Sequence, residues 1–327
     1  HSFPTRRSSD LFDTKAKLSG TAVLQLPAGA TGPLRLTVSE ARPAAAPGFD
    51  GVVVTRFAKI AHERRQGGFP VRIELAAGGK VIERLSWNDR LHHRELHGFC
   101  LRHDAAAGVE CVSRGPLATV VRQRAAYCRP DGTRPASQPG ATYDWYYFHD
   151  RPVVFVSGVL AQREPFTWHE AHFLEMTFSE KVFGRFAGGD PAVEGAISDS
   201  RKVDHLSRWG AALDGQNAIG MFGGGPVYVY HGPPGAKYLH ARGPESWRDW
   251  KDTRRELSAW LWIGAAQDPK AAIAAAAREL AGRARAVVST SGVRALVQAA
   301  RQSGWAQAAA AGLLESQGRL EIGRAHV

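Results

Sequence analysis

From Thr21 to Gly264 the chain repeats one device, a short run of β-branched and aromatic residues closed by Gly, Pro, Asp or Asn. The runs read "TAVLQLP", "GPLRLTVSEA", "GVVVTRFAKIA", "FPVRIELAAGGKVIERLSW", "GFCLRH", "GVECVSRG", "LATVVRQRAAYC", "TYDWYYFH", "RPVVFVSGVLAQ", "HFLEMTFSE", "AIGMFGGGPVYVYHG" and "RRELSAWLWIG". So many short strands at such spacing predict a large antiparallel β-sandwich or barrel. Gly78-Gly79 between two alternating runs predicts a hairpin. The nearly continuous apolar run "PVVFVSGVL" predicts a central strand covered on both faces.

At Asp268 the style of the sequence changes. "DPKAAIAAAARELAGRARAVV" supplies an N-cap Asp, Pro269 at the first helical position and an Ala-rich body, so a helix starts here. "GVRALVQAARQSGWAQAAAAGLLES" continues in helical style. The ends "HSFPTRRSSDL" and "EIGRAHV" lack apolar periodicity and resemble translated adapter read-through, so both are set aside. The resulting division is a leader at 1–11, a β-domain at 12–267, a helical extension or the start of an α-domain at 268–320, and a tail at 321–327. This division leads to the expectation of an internal piece of a longer, exported, multi-domain protein, periplasmic or extracellular.

The formal charge is +11; the leader's Arg6, Arg7 and Asp10 contribute +1 and the tail's Glu321 and Arg324 cancel, leaving about +10. That excess favours a polyanionic partner. No Lys/Arg run is long enough for a nucleic-acid arm, so nucleic acid is not the expected partner. The densest basic patch, "HERRQGG" at 62–68, reads as a solvated turn. No apolar run approaches the roughly 18 residues of a membrane span. Cys100, Cys111 and Cys128 fit neither a disulfide framework nor a CxxC metal site, and are expected as buried free thiols. "MFGGGPVYVYHGPPG" lacks the Lys-Ser/Thr and the helix of a phosphate loop; its glycines predict a bulge or tight turn between strands.

The densest chemistry lies in "EPFTWHEAHFLEMTF" (164–178). Strand alternation puts Trp168, Glu170, His172, Leu174, Met176 and Phe178 on one face and His169, Ala171, Phe173, Glu175 and Thr177 on the other. A Glu170–His172 pair at the mouth of a sandwich suits general acid/base work, with Trp168 as a stacking wall. A satisfied polar cluster holding a loop is the other reading, and both stay open. A zinc site is not expected, because His169 and His172 fall on opposite faces with no third ligand nearby. No cofactor is expected either.

Aromatic and polar residues mix again in "YDWYYFH" (143–149), where Tyr143, Trp145 and Tyr147 share a face running toward His149, and in "ESWRDW" (245–250), which holds Trp247. Such mixtures stack on a pyranose while hydrogen-bonding its hydroxyls. "WNDRLHHRELH" (87–97) adds Asn88, Arg90, His92, His93 and His97 at a loop or strand end.

"SRGPLATVVRQRAAY", "YDWYYFHDRPVVFVSGVL" and "FTWHEAHFLEMTF", in that order, resemble the β-supersandwich of galactose-mutarotase-like carbohydrate-active domains. The run is similar to the β-domains of family-38 α-mannosidases and of polysaccharide lyases acting on uronate chains. The likeness covers about Gly67 to Gly264. Trp168, Glu170 and His172 match its W-x-E-x-H positions, and Gly115 and Pro116 match the turn before the next strand. It implies an antiparallel β-supersandwich, to which the helix start at Asp268 adds a helical C-terminal extension. It also implies a poly- or oligosaccharide partner, expected to be anionic, within a lyase or hydrolase. In a lyase a Tyr or His removes the proton α to the uronate carboxyl while an Arg or Asn stabilises the charge, and no Tyr/His pair aligns here. A structural β-domain beside a catalytic one, or a mutarotase-like epimerase with a Glu base and a His acid, are the alternatives.

Overall fold

The computed structural model describes residues 48–280, apart from 84, 179–180, 233–236 and 242–245. The strands expected at 21–27 and 32–41 and the second helical stretch at 292–316 lie outside the described residues. The described residues belong to the compact unit Gly48–Arg283. In chain order the strands are β1 (Val52–Val54), β2 (Ala58–Glu63), β3 (Phe69–Leu75), β4 (Val81–Ile82), β5 (Ser86–Trp87), β6 (Arg90–His93) and β7 (His97–Cys100). Then come β8 (Gly108–Arg114), β9 (Ala118–Ala126), β10 (Gly140–Phe148), β11 (Val153–Ala161), β12 (Glu170–Ala171) and β13 (Phe173–Thr177). β14 (Arg185–Gly189), β15 (Val193–Ala196), β16 (Val203–Asp214), β17 (Asn217–His231), β18 (Lys237–Ala241), β19 (Arg254–Ala265) and the helix α1 (Pro269–Leu280) complete them.

The fold is mainly β, and the strand pairs are antiparallel. A 12-stranded sheet runs β15-β14-β16-β17-β19-β11-β10-β9-β8, with β18 on β17, β13 on β18 and β5 on β13. Smaller sheets β1-β2-β3-β4 and β12-β6-β7 accompany it. One large core cluster draws on all three, including Ile60, Phe69, Trp87, Leu91, Trp145, Trp168, Met176 and Leu239.

Gly78 and Gly79 close the β3–β4 hairpin in left-handed backbone, φ 77° and 62°. β11 is central, between β10 and β19. Its Val154, Val156 and Leu160 are buried and its Phe155, Ser157 and Val159 half-buried, so one face rather than both is fully covered. Within the 62–68 patch, Glu63 to Gln66 form a solvated turn around the short 3₁₀ helix Arg64–Gln66, while His62, Gly67 and Gly68 are buried. The glycine run falls inside β17, where Gly223 to Gly225 have positive φ and the register against β16 shifts between Ser207 and Trp209. It is a bulge within one strand. All three cysteines are free, with Cys100 and Cys128 buried and Cys111 half-buried.

The Asp268 side chain accepts from the Ala271 N–H at 3.0 Å, capping α1 as the sequence predicts. Ile273, Ala276 and Ala277 of α1 pack with Trp209, Phe222 and Trp262 in a second core cluster on the outer face of the sheet. Gly220 permits this approach: a Cβ there would lie 2.8 Å from Ile273 Cδ1.

Candidate functional site

The segment 168–178 is not one strand. Asp89, fully buried, accepts from the Leu174 N–H at 2.7 Å, the Glu175 N–H at 3.0 Å and the Tyr143 hydroxyl at 2.8 Å. Leu174 takes a left-handed φ of 52°, and the register against β18 shifts between Phe173 and Glu175. The added residue overturns the expected alternation: Glu175, assigned by period two to the opposite face, is brought to His172. Burial pushes the Asp89 carboxyl up to about 7, against the pull of its three donors.

Around that bulge a charged cluster forms. His172 Nε2 lies 2.8 Å from Glu170 Oε2, and His172 Nδ1 lies 2.5 Å from Glu175 Oε2. Arg90 on β6 spans both acids, with Nη2 3.2 Å from Glu170 and Nη1 3.2 Å from Glu175. Asn88 Nδ2 donates to Glu175 Oε1 at 2.6 Å. β18 sets His240 opposite Glu175, its ring stacked on that of His172 with centroids 4.5 Å apart and planes at 6°. His240 Nε2 meets Ser246 Oγ at 2.9 Å. Trp247 stands edge-on to His172, His240 and Tyr228, at 6.0, 5.8 and 5.0 Å.

The electrostatics follow from these partners. Burial works against a charge on His172, but hydrogen bonds to Glu170 and Glu175 prevail and raise its pKa. Glu170 is held at about 2, first by its bond to His172. Burial pushes Glu175 upward, yet its bond to His172 and the nearby cations bring it to about 2. Burial and the neighbouring His172 charge drive His240 well below the usual histidine range, so its ring is neutral. His172, Glu175 and His240 are fully buried, whereas the Glu170 side chain keeps 26% of its surface.

Glu170, His172, Asn88 and Arg90 are thus brought together, with Trp247, 41% exposed, beside them. Other expected site residues lie elsewhere. Trp168 is fully buried among Phe99, Phe166 and His93, its Nε1 donating to Gln162, so it walls the core and not a groove. Tyr143, Trp145 and Tyr147 form the core face of β10, not a sugar-facing one. Their polar atoms are satisfied internally by Asp89, Gln123 and His62. Period two separates the faces of a strand without saying which is inside. His149 holds the end of β10, 3.0 Å from Thr119 Oγ1 and 3.2 Å from the Pro116 carbonyl. His92 pairs in register with Glu170 but turns its ring toward His97, 6.5 Å away.

Glu175, His240, Asp89 and Ser246 were not picked out from the sequence. Only the polar His240 within the apolar run "KYLHA" carries a signal there. The ligand-capable atoms of His172, Glu175 and His240 all lie within 4.8 Å of one another. A further ligand-capable side chain, absent from the local pattern, is thus contributed by β18, more than sixty residues downstream.

No family model matches the chain, and no curated protein does. Among solved structures it is similar to an α-mannosidase from Enterococcus faecalis, at 11% identity and a TM-score of 0.49, covering 70% of this chain and 30% of that one. A quadruple mutant of an α-N-acetylgalactosaminidase from Bifidobacterium bifidum is similar at 13% identity and a TM-score of 0.46, covering 77% and 42%. A galactose mutarotase related enzyme from Lactobacillus acidophilus is similar at 5% identity and a TM-score of 0.42, covering 66% and 98%. The chain spans less than half of the first two. At these TM-scores none of the likenesses bears on activity.

Proposed function

We propose that this chain is the carbohydrate-recognising β-domain of an exported polysaccharide-degrading enzyme, a lyase or hydrolase acting on acidic glycans. The observation that carries the reading is the position of Trp247. Its half-exposed ring borders an open depression of about 500 Å³, lined also by Asp204, His205, Leu206 and Tyr228, while its inner side touches the His172–His240 stack. An aromatic plane beside a carboxylate, here Asp204, an imidazole and a phenol suits a pyranose, since the ring stacks its C–H face and the polar groups bond its hydroxyls. Glu170 is the partly exposed carboxylate of the cluster, so a proton moving to or from His172 Nε2 passes through it. Preference for acidic chains is supported by the basic excess and by a second depression, about 720 Å³, lined by Arg124, Arg134, Arg163 and Arg254.

The burial of both His172 nitrogens against carboxylates favours a second reading, a non-catalytic β-domain that shapes an adjoining catalytic one. Glu170→Gln in the complete enzyme separates the two. A catalytic Glu170 gives at least the roughly 100-fold loss of turnover typical of acid/base groups, with the melting temperature kept. Near-normal turnover with a lower melting temperature assigns the cluster to structure. Recognition is tested by calorimetry: uronate-containing oligosaccharides should bind more tightly than neutral ones at low ionic strength, the difference shrinking as salt is added. Equal binding to both would overturn the preference.

A further inference from the structure

We propose that His172, Glu175 and His240 form a zinc-type divalent metal site, with His172 Nδ1, Glu175 Oε2 and His240 Nδ1 as the ligand atoms. Two observations carry it independently. Each of the three residues offers a ligand atom, and these atoms lie within 4.8 Å of one another in a fully buried place. And His240 Nδ1, in a ring with no exposed surface, has no hydrogen-bond partner among the described residues, while facing Glu175 Oε2 at 3.9 Å. A buried, orphaned ring nitrogen calls for an explanation, and a metal held jointly with Glu175 supplies one.

The surroundings are those of ligands held from outside. Ligating histidines typically give their other ring N–H to a carboxylate or another oxygen, which fixes the tautomer. Here His172 Nε2 meets Glu170 Oε2 and His240 Nε2 meets Ser246 Oγ, while Asn88 and Arg90 hold Glu175 Oε1, Arg90 reaching Oε2 only at 3.5 Å. Zinc bonds of about 2.0–2.1 Å in a tetrahedron put two donors about 3.3 Å apart. The contacts of Glu175 Oε2 with the two rings, 2.5 and 3.9 Å, straddle that value, but the rings are stacked with planes at 6°, so their in-plane lone pairs converge on one ion only once a ring turns out of the stack. Two histidines and one glutamate leave a fourth position for water or a substrate oxygen. Binding removes the proton between His172 Nδ1 and Glu175 Oε2, which goes to solvent, so the metal replaces one cation with another. It ties β13 to β18 directly beneath Trp247.

The test uses the full chain stripped with a chelator, then titrated with Zn²⁺ by calorimetry and with Co²⁺ by visible absorption. The expected result is one equivalent per chain, a cobalt spectrum of four-coordinate type and a higher thermal midpoint with zinc. Glu175→Gln and His240→Ala should abolish that equivalent. Glu170→Gln should keep the stoichiometry but weaken affinity by about 10- to 100-fold, the usual loss when an outer partner of a ligand is removed. His93→Ala, which alters the half-buried His93–His169 pair whose rings are 4.9 Å apart, should change nothing. If the cluster variants do not fold, X-ray absorption of the zinc-loaded wild type decides, two imidazoles with oxygen supporting the site and any other set overturning it. No saturable binding, or an equivalent that survives His240→Ala and vanishes in His93→Ala, also overturns it. Sugar is read in none of these arms, so the metal site and the carbohydrate reading stand or fall separately.

Discussion

Of the buried histidines whose ring nitrogens are both engaged, His62 and His172 are opposites. His62 lies 2.7 Å from the Gly68 carbonyl through Nδ1 and 2.7 Å from the Tyr147 hydroxyl through Nε2, with Trp145 and Tyr147 edge-on around it. His172 is enclosed to a similar degree, 0% exposed against 8%, but its partners are Glu170 and Glu175. Burial disfavours the imidazolium in both places. Beside neutral partners it prevails, and His62 falls to about 4; beside two carboxylates it is overcome, and the pKa of His172 rises. The same residue type at the same depth is a packed core group in one region and a charge centre in the other, and the partners make the difference.

The largest expected effect comes from breaking the charged side. Glu175→Ala leaves His172 and Arg90 without their buried counter-charge and should lower unfolding stability by about 3–5 kcal/mol, read from a denaturant titration. A loss near zero would mean that water reaches the cluster freely.

Next comes the acid limb. The folded pKa of His62 is depressed by burial to about 4 from the ordinary histidine value of 6.5, so below pH 6.5 the unfolded chain takes up a proton that the folded chain refuses. Its contribution is present above pH 6.5 and is lost as pH falls toward 4. The shift corresponds to roughly 3 kcal/mol at 1.36 kcal/mol per unit. His62→Gln should flatten that window in a stability-versus-pH profile, and an unchanged profile would remove His62 from the account. Smaller again, Tyr147→Phe leaves His62 Nε2 without its partner at a cost of about 1–3 kcal/mol. The smallest stability change, under about 1 kcal/mol, is expected for the exposed Trp247→Ala, which should nonetheless abolish glycan binding measured by calorimetry.

The same contrast explains what the sequence revealed. Strand punctuation, the Gly78-Gly79 turn and the Asp268-Pro269 helix start are local signals written in backbone chemistry, and each is met in the structure. Glu170, His172, Asn88 and Arg90 were legible because unusual polar density marks them. Trp168, Tyr143, Trp145 and Tyr147 were misplaced because an aromatic run with polar neighbours looks alike whether it lines a groove or a core; only the sheets packed above it decide. Glu175 escaped because the left-handed turn at Leu174 is imposed by Asp89, 85 residues earlier, and His240 because its neighbour is chosen by the β13–β18 pairing. Neither cause is local.

The most direct measurement is a pH titration of the imidazole nitrogens by ¹⁵N NMR, in metal-free protein kept with a chelator. His62 should stay neutral down to about pH 4, and His172 should stay doubly protonated above pH 6.5. If both histidines titrate together near pH 6.5, the contrast between a core histidine and a site histidine does not exist in this molecule.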